Sequence, residues 1–263
     1  MHGNLSTLKQ FLDRKAAEYN RPSFIDTDPV SIPHRFSRLQ DIEIAGFFAA
    51  LLAWGNRKAI INSCTRLLAA MGHAPYDFVR AHKPSDLKPL LSFVHRTFNA
   101  TDLFWLLHFL QDHYRRHNSL ESAFSQFIHP ESTDMEQILT GFHQYVFALP
   151  DAPERTRKHI ATPAKHSACK RLNMYLRWMV RTDRGRSEPY VDFGLWKSIS
   201  PAQLICPLDV HVGTVARRIG LLQRPQNDWK AAVELTGHLR RLDPEDPVRY
   251  DYALFGLGAE ERF

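Results

Sequence analysis

The 263-residue sequence is poor in cysteine. It has three, Cys64, Cys169 and Cys206, far apart and in no Cys-x-x-Cys pair. That spacing excludes a disulfide framework and fits the reducing cytoplasm. Long apolar runs are also missing. The longest, Ile44 to Trp54, contains Gly46 and stops at Gly55-Asn56-Arg57-Lys58. A membrane helix needs about 20 such residues, so no membrane span is expected. Met1 to Asp13 lacks the apolar centre of a signal peptide. There is no phosphate-loop motif and no Gly-x-Ser-x-Gly. Gly256-Leu-Gly258 follows a helix-like segment rather than a strand, so it is no dinucleotide loop. His113 and His117 stand at i, i+4, but the glutamate of a zinc protease motif is missing and two arginines intervene. No metal ligand set is assigned, and none to the pair His166 and Cys169. No alternating run exceeds about four residues, and there is no internal repeat.

What is present is helical period. Hydrophobic residues make up 44% and charged residues 24%, ordinary for a globular chain of one or two domains. Leu5, Leu8, Phe11 and Leu12 predict an amphipathic helix over 5–20. Asp41 to Trp54 is apolar on almost every face and predicts a helix buried all round. A second follows from Arg57 to Met71 and ends at Gly72. Thr101-Asp102 reads as an N-cap ahead of Leu103, Leu106, Leu107 and Leu110. Further helices are expected at 120–128, 134–149 and 167–181, and starting near Asp209, Asp228 and Pro244. Residues 150–164 read as a connection and 182–189 as a loop. The class is all-α, with ten or more helices.

The net charge is +6, and its distribution is uneven. Between Glu154 and Arg186 ten basic residues face two acidic ones, whereas the chain from Asp243 onward is acidic. A basic stretch of this kind permits a nucleic-acid partner without requiring one.

Two segments carry the candidate chemistry. In Pro207-Leu-Asp209-Val-His211-Val212 the aspartate precedes a helical run, which places it at an N-cap. Such a carboxylate is either a plain cap or an ionised group that stabilises a cationic transition state. At about 4 Å and an effective dielectric near 20, that interaction is worth roughly 4 kcal/mol. In Lys170-Arg-Leu-Asn-Met-Tyr-Leu-Arg177-Trp178 the lysine opens a helix amid other cations. It is either one more exposed lysine or an amine made nucleophilic by a depressed pKa.

Together these segments resemble the helix-hairpin-helix DNA glycosylase superfamily, which includes endonuclease III and the archaeal 8-oxoguanine glycosylases. Lys170 followed by Tyr175-Leu176-Arg177 is similar to the archaeal branch. Asp209-Val-His211-Val212 is similar to the family's Asp-x-His-hydrophobic motif. Leu51-Leu52, the polar turn after it, Asn62 and Thr65 resemble its early helices. The similarity covers about residues 40–70 and 165–255, and the whole chain looks most like an uncharacterised bacterial family related to this superfamily. It implies a glycosylase fold of two helical subdomains flanking a cleft, with 1–40 and 187–263 in one and 41–186 in the other. It also implies a monomer that binds duplex DNA and flips a damaged base out, with oxidised purines as candidates. Lys170 would form a Schiff base, and Asp209 would assist deprotonation and stabilise the sugar cation. Asn56, Arg57, Lys58, His166, Arg177, Arg181, His211, Arg217 and Arg218 would contact nucleic acid, and Arg184 is a further phosphate candidate. Trp54, Trp178 and Trp196 would serve the base pocket, core packing being the competing role for the last two.

The sequence departs from the family in three ways. His166-Ser-Ala-Cys169 has no hairpin glycine. Lys170 and Asp209 are 39 residues apart, with an insertion over 182–205 containing Asp192, Trp196 and Lys197. The chain has no four-cysteine iron–sulfur loop, and no cofactor is expected. Two other readings keep the fold: a non-catalytic DNA-binding relative, and a helical protein acting on a partner other than nucleic acid.

Overall fold

The computed structural model describes residues 2–128, 135–182 and 190–263. Its helices are α1 His2–Tyr19, α2 Pro22–Ile25, α3 Leu39–Leu51, α4 Arg57–Ala70, α5 Pro75–Ala81, α6 Ala100–Arg116, α7 Glu121–Ser125, α8 Glu136–Val146, α9 Lys170–Val180, α10 Val210–Arg218, α11 Trp229–Leu242 and α12 Asp251–Ala259. Helix takes 64% and strand 2%, so the expected all-α class is what the structure shows. The strands are β1 Val94–His95 and β2 Phe98–Asn99, one antiparallel hairpin. Two-residue strands are too short to show a period of two in sequence.

The chain divides into two compact units. One holds 25–130 and 137–161; the other holds 1–24, 131–136 and 162–263. The sequence reading closes its central subdomain at 186, whereas α9 lies in the unit that holds both termini. Backbone bonds explain its membership. Phe193 N–H donates to the Trp178 carbonyl at 2.7 Å and Trp196 N–H to that of Met179 at 2.9 Å. The chain after α9 thus runs back along the helix.

In the first unit α3 is buried at every residue from Ile42 to Leu51, as its apolar faces predict. The helix stops at Leu51 rather than Trp54. Gly55 takes φ 102°, and Asn56 caps α4 by accepting from the Ala59 N–H at 3.3 Å. Glu43 lies in this core with no exposed surface. Its carboxylate accepts from the Tyr114 hydroxyl at 2.9 Å, the Leu120 N–H at 3.0 Å and the Ser119 hydroxyl. The N-cap of α6 is Asn99 rather than Thr101 or Asp102; Asp102 closes the capping box by accepting from the Asn99 N–H. Asp102 also accepts from Arg155 and Thr156 at 2.6 and 2.7 Å, tying the 3-10 turn Glu154–His159 to α6. His113 has both ring nitrogens engaged, with the Tyr145 hydroxyl and the Ser119 carbonyl, each at 3.0 Å.

In the second unit α12 packs along α1 and α10. Gly256 makes the first contact possible, since a Cβ there would meet the Tyr19 ring at 2.2 Å. Trp178 and Trp196 have 0% and 1% exposed surface, and Trp196 meets Tyr175 edge-on at 5.4 Å. A ring without an exposed face offers no platform to a flipped base, so their base-pocket role is corrected to core packing.

Candidate functional site

The chain enters α9 through a tight turn. Thr162 caps a 3-10 turn, Pro163–Lys165, and His166 and Cys169 then take left-handed backbone at φ 59° and 50°. Glycine is favoured in that conformation, and other residues pay about 1–2 kcal/mol for it. The turn is held from outside. Trp229 N–H donates to the His166 carbonyl at 3.1 Å, and Ser167 bridges to Asp228. It is also held from within: Asn173 Nδ2 donates to the Ala168 carbonyl at 3.0 Å and Cys169 N–H to Ser167 Oγ at 3.2 Å. The turn therefore adopts left-handed geometry without a glycine.

Beyond it, α9 is buried at every residue from Leu172 to Val180. Besides Arg171, its cations are Lys170 and Arg177, and Arg181 follows at its C-cap, with Met174 between the first two. Seven residues bring a helix back to within about 20° of the same direction, so these side chains form one stripe. Each cation on it meets carboxylates from other elements. Arg181 Nη1 is 2.9 Å from Asp192 and its Nε 2.9 Å from Asp246. Arg177 pairs with Asp192 at 3.3 Å and with Asp251, and its guanidinium lies 4.2 Å from the centre of the Tyr252 ring. Both arginines are buried, so the expected phosphate contacts of Arg177 and Arg181 are corrected: neither guanidinium is presented to a ligand in solvent. The carboxylates were within sequence reach only in part. Of these carboxylates the sequence singles out Asp192, in the insertion.

The stripe ends at its outer rung, Lys170 and Asp209. Lys170 Nζ stands 3.9 Å from Asp209 Oδ2, and the side chains are 26% and 23% exposed. The contact lies within ion-pair range but is longer than a hydrogen bond. The amine also approaches Met174 Sδ at 3.3 Å. Asp209 caps α10 as expected, accepting from the Val212 N–H at 3.0 Å. The structure therefore brings together two side chains 39 residues apart in sequence.

Burial pushes the Asp251 carboxyl up to about 6; Arg177 opposes that rise, Asp209 adds to it, and Lys170 opposes it. Burial likewise raises Asp246, against the pull of Arg181. The Cys169 thiol is pushed up to about 12 and that of Cys206 well above its ordinary value, both by burial, so neither is a ready thiolate. Among the described residues no group of three or more His, Cys, Asp or Glu side chains is placed to hold a metal, and no helix is long and apolar enough to cross a membrane.

The remaining candidates divide between the units. In the unit of Lys170, His166 and His211 are exposed, and His211 meets the Phe255 ring at 6.2 Å. Arg218 is exposed over Phe263, whereas Arg217 is committed to the Arg224 carbonyl and Asn227 at 2.9 and 2.7 Å. In the other unit Asn56 serves as a cap and Arg57 is half-buried. Lys58 is exposed, and Trp54 carries Arg96 over its ring at 5.5 Å. Arg184, Arg186 and most of the 182–189 loop lie outside the described residues.

These features define an all-α protein whose buried charge stripe ends in a part-exposed lysine–aspartate pair at two helix starts. The family model described as "Protein of unknown function (DUF2400)" matches residues 28–260, and the chain belongs to that family. Neither the curated proteins nor the solved structures compared with it gave a match.

Proposed function

We propose that this protein is a DNA base-excision glycosylase with lyase activity, of the helix-hairpin-helix kind, working as a monomer in the cytoplasm on duplex DNA. Oxidised purines such as 8-oxoguanine are the candidate bases. The observation that carries the reading is the Lys170–Asp209 pair at 3.9 Å. Arg177 and Arg181 are engaged by the buried Asp192 and Asp251 and the part-exposed Asp246, while Lys170 and Asp209 stand together at the other end of the stripe. A left-handed turn ahead of Lys170 adds support, since a hairpin in that place is what the family resemblance implies.

In this reading Asp209 takes a proton from the lysine, freeing the amine. The nitrogen forms a bond to C1′ of the damaged nucleotide. The N-glycosidic bond breaks, and its electron pair leaves with the base, which takes up the proton that Asp209 accepted from the lysine, so that Asp209 is again a carboxylate. The Asp209 carboxylate stabilises the positive charge developing on the sugar. Opening of the sugar ring gives a Schiff base on Lys170, from which β-elimination expels the 3′ phosphate.

The test is borohydride trapping on duplex oligonucleotides with an abasic site or 8-oxoguanine, with Lys170→Ala beside the wild type. A covalent adduct with both duplexes, lost in the variant, is expected. No adduct with either duplex, with salt-sensitive DNA binding intact, would replace the lyase by a DNA-binding module.

A further inference from the structure

Two pieces of chain must be held against each other for Lys170 to stand beside Asp209, and one segment touches both. It runs from Arg224 to Trp229, between α10 and α11. On the α9 side, Trp229 N–H donates to the His166 carbonyl and Asp228 bridges to Ser167, which fixes the turn that leads into Lys170. Asp228 is itself anchored. Its carboxylate caps α11 by accepting from the Ala231 N–H at 3.0 Å, and it accepts from Arg224 Nε and Nη2 at 2.7 and 2.5 Å. On the α10 side, Asn227 Nδ2 donates to the Asp209 backbone carbonyl at 3.0 Å. That carbonyl also receives the Gly213 N–H at 2.9 Å. Asp209 Oδ1 holds the Val212 N–H, and Oδ2 is the oxygen turned to Lys170.

The Asn227 amide fits only one way round. Arg217 Nη2 donates to its Oδ1 at 2.7 Å. A guanidinium only donates and a backbone carbonyl only accepts, so the amide oxygen faces Arg217 and the nitrogen faces Asp209. Arg217 is held in turn by the Arg224 carbonyl at 2.9 Å. Room for the amide comes from Gly213. A Cβ there would meet Asn227 Oδ1 at 2.7 Å, Arg217 Nη1 at 2.8 Å and Asn227 Nδ2 at 3.0 Å. Glycine is a poor residue for a helix interior, and this close approach explains its place in α10.

We infer that Asn227 is a positioning residue for the Lys170–Asp209 pair: it ties the backbone of Asp209 to the segment that also holds the turn ahead of Lys170, and so sets the separation of amine and carboxylate. Asn227 touches neither of those groups and acts through the Asp209 backbone. The inference rests on the proposed function for its catalytic meaning; the spacing is a property of the folded chain.

The experiment uses the full chain without DNA. A water-soluble carbodiimide activates the Asp209 carboxylate, the Lys170 amine displaces the urea, and an amide forms where the two groups meet. The Lys170–Asp209 link is read by peptide mass spectrometry against the Lys15–Glu261 link, whose groups lie 2.6 Å apart in the same unit. Asn227 is exposed, so exchanging it leaves the core untouched. Asn227→Asp keeps a partner for Arg217 but sets a carboxylate oxygen against the Asp209 carbonyl. The ratio of the two links is expected to fall about fivefold, which is what one net hydrogen bond contributes. Gly213→Ala improves the helix while displacing the amide, so Tm should hold or rise as the ratio falls; a merely structural role would move neither down. The wild-type ratio in either folded variant overturns the inference, and so does absence of the Lys170–Asp209 link from the wild type. The DNA trapping experiment can fail while the ratio still responds to Asn227. In that case the positioning stands and the glycosylase reading falls.

Discussion

Replacing Asp251 by asparagine should change how the stability of the protein depends on pH. The carboxyl titrates at 3.8 in the unfolded chain and at about 6 when folded, because burial outweighs the attraction of Arg177. A folded pKa above the unfolded one means that the folded state holds the extra proton. The associated stability is fully present below 3.8 and is lost as pH rises through 6. Between those values the loss is about 1.4 kcal/mol per pH unit, and it accumulates to about 3 kcal/mol by neutral pH. Asparagine keeps the shape and cannot ionise, so the variant loses that slope. Any constant cost, such as a weaker bond to Arg177, shifts both ends of the comparison equally. The assay is urea unfolding from pH 4 to pH 7.5 followed by tryptophan fluorescence, Trp178 and Trp196 lying in the same unit as the network. The free-energy difference, variant minus wild type, should become more favourable to the variant by about 2.4 kcal/mol from pH 4 to pH 7. Parallel curves would refute the reasoning, since Asp251 would then be ionising as readily folded as unfolded.

Two other substitutions follow from backbone and burial. His166 is exposed at φ 59°. Exchanging it for glycine relieves the left-handed penalty, so His166→Gly should stabilise the protein by about 1 kcal/mol and raise Tm by about 2–4 °C; a lower Tm would show that the ring contributes packing or a bond at the turn. Glu43 is buried and accepts three hydrogen bonds, one from a backbone N–H. Glu43→Gln substitutes a donor for one acceptor oxygen and should cost about 2–4 kcal/mol in chemical unfolding; a loss under about 1 kcal/mol would mean that the neighbouring hydroxyls simply turn round.

What could be read in advance follows from how local each feature is. The Asp209 cap depends on a few residues around position 209, and the buried α3 on its own run of apolar side chains; both were visible in the sequence. Proximity of Lys170 to Asp209 was not visible in spacing at all. It was implied by resemblance, and it requires α9 and the start of α10 to meet across 39 residues. Arg177 and Arg181 show the opposite limit. In a stretch with ten basic residues they were read as part of a solvated, phosphate-facing charge run, because an arginine's fate is set by whatever carboxylate the fold brings to it. Even so, a signal was present. From Leu172 to Val180 the chain offers only Asn173 and Arg177 among apolar and aromatic residues, which is the composition of a helix buried all round. An arginine inside such a helix must find a carboxylate or forgo folding, since an unpaired buried charge costs several kcal/mol. That requirement points to acidic residues elsewhere in the chain, and the structure supplies Asp192 and Asp251.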